Sequence, residues 1–165
     1  MSVEPWLRGT LLEVDPLRRA VLHALELAGE DVSLWCEGLT NEAMFSRPAG
    51  LPSVAFQLRH MVRSLDRLLT YAEGYALSEV QMKELKTEMD PGSAEEVLEE
   101  FWARLVRAME RVKVIPPASF GDVRGVGRKM LPTNVAGLLI HCADHTQRHV
   151  GQMVTTVKVV RANLG

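Results

Sequence analysis

Apolar residues recur every three or four positions along four long stretches of this chain, the period that places side chains on one face of an α-helix. The first stripe runs Leu17, Val21, Ala24, Ala28, Val32, Trp35, Leu39, and Gly38 stands where a left-handed residue commonly closes a helix. Thr40 to Pro52, with Pro48, Gly50 and Pro52, predicts a linker. The second stripe is Val54, Leu58, Met61 or Val62, Leu65, Leu68 or Leu69, and Ala72, closed by Gly74. Ser78 to Met89 is polar and predicts a short surface helix. Asp90-Pro91-Gly92 breaks the chain before Ser93-Ala-Glu-Glu96, a capping box in which hydroxyl and carboxylate each satisfy an orphan amide. Val97, Leu98, Phe101, Trp102, Leu105, Val106, Met109 and Val112 form a wide apolar face that Pro116-Pro117 ends. Residues 118–131, with Gly121, Gly125 and Gly127, predict a loop or short hairpin. Pro132-Thr133 then opens a fourth segment reaching about Ala162, with Thr133 as its expected N-cap.

Four amphipathic segments with few β-branched alternations predict an all-α fold, a four-helix bundle. One domain is expected over residues 1–165, with its core at about 17–160. The connections after the first two segments are long enough for crossovers, so an up-down-up-down order is not required.

Composition narrows the function classes. Lys and Arg number 19 against 21 Asp and Glu, a formal net charge of -2, which removes the electrostatic footprint of a nucleic-acid binder. No apolar run approaches the roughly 20 residues that span a bilayer, and the first residues have no apolar signal-peptide core. Cys36 and Cys142 are far apart and in no CxxC arrangement, as expected for free thiols in a reducing, cytoplasmic setting.

The candidate chemistry lies in the five histidines, His23, His60, His141, His145 and His149. The last three are spaced four apart in His141-Cys-Ala-Asp-His145-Thr-Gln-Arg-His149, so successive imidazoles share one helix face about 5–6 Å apart. Several imidazoles buried together need partners for all their ring nitrogens, and a shared cation supplies one. Neutral imidazole is a strong ligand for zinc, nickel, copper and iron(II). Two imidazoles from one helix are too few for a tight site. His60, in the middle of the second helix near its apolar stripe, is the candidate third ligand. His23 falls roughly opposite Val21 and Leu25 and is expected in solvent. Three His ligands would leave a coordination position open, as catalytic sites do.

Gly38-Leu39-Thr40-Asn41-Glu42, Arg47-Pro48 and Ser53-Val54-Ala55-Phe56-Gln57-Leu58-Arg59-His60-Met61 resemble the first half of the DinB/YfiT-like superfamily. His141 to Gln152 resembles the H-x-x-x-H-x-x-x-H-R-G-Q helix of its second half. The resemblance covers about Leu17 to Val160 and implies a four-helix bundle of unusual connectivity holding a divalent metal, often nickel or zinc. Carried over residue by residue, it implies His60, His145 and His149 as ligands and His141 as a non-ligand one turn away. Val150 departs from the usual Arg and removes a polar contact from the substrate environment.

His141, Asp144 and Gln152 are candidates to orient the ligating imidazoles from behind, with a solvated face the alternative for Asp144. Cys142 reads as a small core residue, and Phe101, Trp102 and Trp35 as core. The Arg124–Lys129 loop reads as a turn with solvated charges, an anionic substrate group being the alternative. No histidine has Glu three residues before it, which excludes the di-iron carboxylate pattern. HExxH, GxSxG and a phosphate loop are absent from the sequence.

The resemblance implies thiol-dependent S-transferase or isomerase chemistry. The metal would hold a low-molecular-weight thiol as its thiolate for attack on a small-molecule electrophile. Metal-assisted hydrolysis ranks lower because Asp144 is the only nearby carboxylate in sequence. A metal-stabilised stress-response or interaction module without turnover is the reading from another class. Neither nucleic-acid nor membrane partners are expected. A homodimer through the apolar face of Trp102 and Met109 is.

Overall fold

Asp15 starts the first long helix: its carboxylate accepts from the backbone N–H groups of Leu17 and Arg18, and Pro16 has no N–H to satisfy. In the computed structural model, which describes residues 3–164, α1 is Pro16–Cys36. It is followed by α2 (Asn41–Phe45), α3 (Val54–Ala72), α4 (Glu79–Glu84), α5 (Ala94–Val114), β1 (Val123–Val126), β2 (Leu131–Asn134) and α6 (Val135–Leu164). Gly38 and Gly74, just past α1 and α3, adopt the left-handed backbone their positions predicted. Ser93 and Glu96 form the expected capping box. A second box, Ser78 with Gln81, opens α4.

The protein is mostly helical, with one two-stranded hairpin among the described residues. The long helices pack pairwise as α1 on α6, α6 on α3, α3 on α5 and α5 on α1. Their facing stripes form one core, with Leu22, Leu25, Leu58, Leu65, Phe101, Leu139 and Met153 among its buried members. α1 and α3 therefore lie across a diagonal, as do α5 and α6, and the chain crosses over after its first and third long helices. The connection after the second does not cross. It folds α4 back onto α3 instead. Among the described residues, no helix is long and apolar enough to cross a membrane.

Four expectations are corrected. The linker at 40–52 contains α2, because the Thr40 hydroxyl caps it by accepting from Ala43 N–H. Pro132 and Thr133 do not begin the last helix. They lie in β2, opposite Gly125 and Arg124, and α6 starts at Val135. Its free amides are met by Asn134 Oδ1, which accepts from Gly137, and by the carbonyls of Asp122 and Phe120. Trp102 is 38% exposed, and Trp35 is partly covered by Lys158, whose ammonium sits 4.9 Å from the ring centroid. His23 is buried rather than solvated, within 3.1 Å of Thr10 Oγ1.

The polar side of α3 is also closed to water. Arg59, Arg63 and Arg67 step by four and are all buried. Arg63 forks onto Glu100 of α5 and donates to Thr87 and to the Glu84 carbonyl, while Arg67 donates to Glu88 at 3.1 Å. These charge-assisted bonds hold the 84–88 segment against α3, where it meets His60.

Candidate metal centre

His60 lies on α3, and His145 and His149 lie one turn apart on α6. Because α3 and α6 pack together, the three rings converge, with centroids 5.0 Å apart for His60–His145 and 4.5 Å for both His60–His149 and His145–His149. One ring nitrogen from each lies within 4.8 Å of the others. His141 stays outside this group. Its ring centroid is 5.4 Å from that of His145, and its Nδ1 pairs with Asp144 at 2.8 Å on the exposed side of α6.

Two residues outside the sequence-derived candidates set the ring orientations. Glu88 Oε2 is 2.7 Å from His60 Nδ1, and Gln57 Oε1 is 2.6 Å from His149 Nδ1. A carboxylate or an amide carbonyl only accepts, so both Nδ1 atoms carry a proton and Nε2 is the nitrogen each ring has left for a metal. Gln152 acts one step back: its Oε1 accepts from Gln57 Nε2 at 3.1 Å. Asp144, bonded to His141, is not among the groups that meet the three rings. Gln57 was legible, being three residues before His60 and so on the same face of α3. Glu88 was not, because nothing in a polar segment 28 residues away signals where it will fold. Phe56 stacks on His60 with centroids 5.3 Å apart. Val150, where the resemblance expected Arg, is buried in the core, which makes the lost polar contact an apolar one.

The residues present fit a divalent metal. His60 Nε2 and His145 Nε2 are 3.3 Å apart; two nitrogens each about 2.0–2.1 Å from one tetrahedral ion sit about 3.4 Å apart. Buried His145 Nδ1 has no hydrogen-bond partner, a poor arrangement for a ring held by hydrogen bonding alone. Burial first, then the neighbouring His149 and His60, push the His145 pKa down to about 4. Burial first, then His60 and Arg148, push His149 down to about 4 as well. Both rings are thus neutral, the form that binds metal. Burial works against ionised Glu88, but His60 and Arg67 outweigh it and hold its pKa below the ordinary carboxylate value.

The depressed imidazoles predict how the metal-free protein responds to acid. Unfolded His145 and His149 take up protons near their ordinary value of 6.5, and folded they do so only near 4. The unfolded state therefore binds more protons in that window. The metal-free protein is expected to keep its full stability above pH 6.5 and to lose part of it steadily down to about pH 4. Urea midpoints across that range in the presence of chelator measure it. A double His145→Gln, His149→Gln variant should show a flatter profile, and an unchanged slope would mean that other groups carry the dependence.

The sequence profile of the DinB superfamily matches residues 24–153, a span that contains all three histidines. No curated protein matches the chain.

Proposed function

The chain belongs to the DinB superfamily, whose members bind metal, and from that premise we propose that His60, His145 and His149 hold one divalent ion, nickel or zinc, in an enzyme that joins a low-molecular-weight thiol to an electrophile. The ring of α1, α6, α3 and α5, with its two diagonal crossovers, is on this reading the superfamily's four-helix bundle. The observation that carries the proposal is the convergence of three imidazole nitrogens from two helices within 4.8 Å, two of them on rings that Glu88 and Gln57 hold at Nδ1.

The ion, when bound, supplies the Lewis acidity that lets a thiol react as thiolate near neutral pH. The protein's own thiols do not serve. Burial pushes both Cys36 and Cys142 up to about 12, so the reacting thiol comes from outside. Glu88 favours thiol transfer over hydrolysis. Its two oxygens are taken by His60 and Arg67, which makes it an orienting group rather than the base that would deprotonate water. The role of Phe56 is to pack the His60 ring from the side.

Elemental analysis of protein purified without chelator or a histidine tag tests the site. About one equivalent of a divalent metal is expected in the wild type and almost none in His60→Ala. The metal-loaded protein is then expected to turn over epoxides or alkyl halides only when a thiol is present. No metal after reloading would overturn the site. Stoichiometric metal without thiol-dependent turnover would leave a metal-holding interaction module.

A further inference from the structure

The hairpin β1–β2 stands over the C-terminal end of α3, tied there by Arg124 Nε, which donates to the Ala72 carbonyl at 2.9 Å. Beneath it, the end of α3, α4 and the hairpin turn enclose a cavity of about 520 Å³, inside the range of about 300–1,000 Å³ typical of small-molecule sites. Tyr71, Tyr75, Met82, Leu85 and Met130 wall it. The last four are among the large apolar residues that the fold leaves exposed. Single exposed apolar side chains need no explanation, but four from three separate elements converging on one cavity form a patch that a ligand would cover. Met130 is held in place by lying across Gly125, where a Cβ would collide with its thioether.

Arg128 is the only charged residue in this lining. It is exposed, on the hairpin turn, and none of the described residues forms an ion pair or hydrogen bond with its side chain. The groove between α1 and α5 shows the opposite electrostatics. It is larger, about 950 Å³, with an apolar floor around Trp102 and Val106, and Glu4, Glu26, Glu30, Asp31 and Glu37 line it, of which Glu30 is paired with Arg8.

We propose that the cavity under the hairpin binds a small organic anion, with an apolar or aromatic body against the tyrosines and methionines and a carboxylate or sulfonate at Arg128. The guanidinium fork matches such a head group in a bidentate manner, and no neighbouring carboxylate competes for it. Tyr71 in its wall is eleven residues beyond His60 on α3, roughly 16 Å along the helix axis. None of the three histidines lines it, so the site stands apart from the metal chemistry.

The fluorescent probe 8-anilinonaphthalene-1-sulfonate, titrated into the full chain with and without chelator, tests this. Saturable binding is expected in both conditions, displaced by octanoate but not by octylamine. Arg128→Glu should weaken it by about tenfold or more, and Leu85→Asp should weaken it through the apolar wall. Val106→Asp, in the acidic groove, should leave it unchanged. No saturable binding, equal affinity in Arg128→Glu, displacement by octylamine as strong as by octanoate, or loss in Val106→Asp would each overturn the proposal. Loss of metal binding in a separate His60→Ala preparation, with probe binding intact, is the expected sign that the two sites are independent.

Discussion

Glu88→Gln is expected to weaken divalent-metal affinity by about 10- to 100-fold, the range seen when a group behind a ligating histidine is changed. Competition against a chelator of known affinity measures it. The carboxylate does two things for His60. It fixes the Nδ1–H tautomer at 2.7 Å, and its negative charge makes Nε2 a better donor. An amide can keep the first but loses the second, so affinity falls while the ring stays in place. Glu88→Ala removes both and also strips buried Arg67 of its carboxylate. An uncompensated buried charge of this kind costs about 3–5 kcal/mol, so this variant should lose folding stability as well as metal. The Gln variant also leaves Arg67 without its counter-charge, so its urea midpoint should fall too, but by less than in Glu88→Ala because the amide oxygen still accepts from the guanidinium. Wild-type affinity in Glu88→Gln would reduce Glu88 to a structural partner of Arg67.

Phe101→Ala should lower folding stability by about 3–5 kcal/mol, a drop in Tm on the order of 10 °C for a domain of this size. Its neighbour Trp102 supplies the contrast. Both are aromatic and adjacent on α5, with ring centroids 5.2 Å apart. Phe101 is fully buried, whereas Trp102 lies at the edge of the α1–α5 groove against Gly29. Emptying the Phe101 site leaves a cavity in the shared core, where the surrounding helices relax only in part. Emptying the Trp102 site opens onto water, so Trp102→Ala should cost less than half as much in a thermal melt. Equal losses would mean that the groove is covered in solution.

This pair shows where sequence periodicity loses its power. Spacing of three or four assigns a residue to a helix face, and Phe101 and Trp102 both qualify. Only the placement of α1 beside α5 decides which part of that wide face is buried. The same limit governs the polar residues. Arg59, Arg63 and Arg67 are buried because the 78–90 segment folds back over them, which their spacing along α3 does not signal. Thr133 had the chemistry of a cap, yet pairing with Arg124 in the hairpin claims its backbone, and the helix starts two residues later.

What the sequence determined by itself was local and periodic. It set the four long amphipathic helices, the breaks at Gly38, Gly74 and Pro91-Gly92, the Ser93–Glu96 box, and the placing of His145 and His149 on one face of one helix. Each follows from backbone geometry over a few residues. The tertiary structure alone decided which helices are neighbours, that His60 meets His145 and His149, and that Glu88 arrives behind His60. It also decided that His23 and the α3 arginines are buried and that the hairpin closes a cavity over α4. Those outcomes depend on contacts between residues far apart in the chain, where the energy is set by burial and by pairing of charges across helices. No spacing rule along a single helix encodes them.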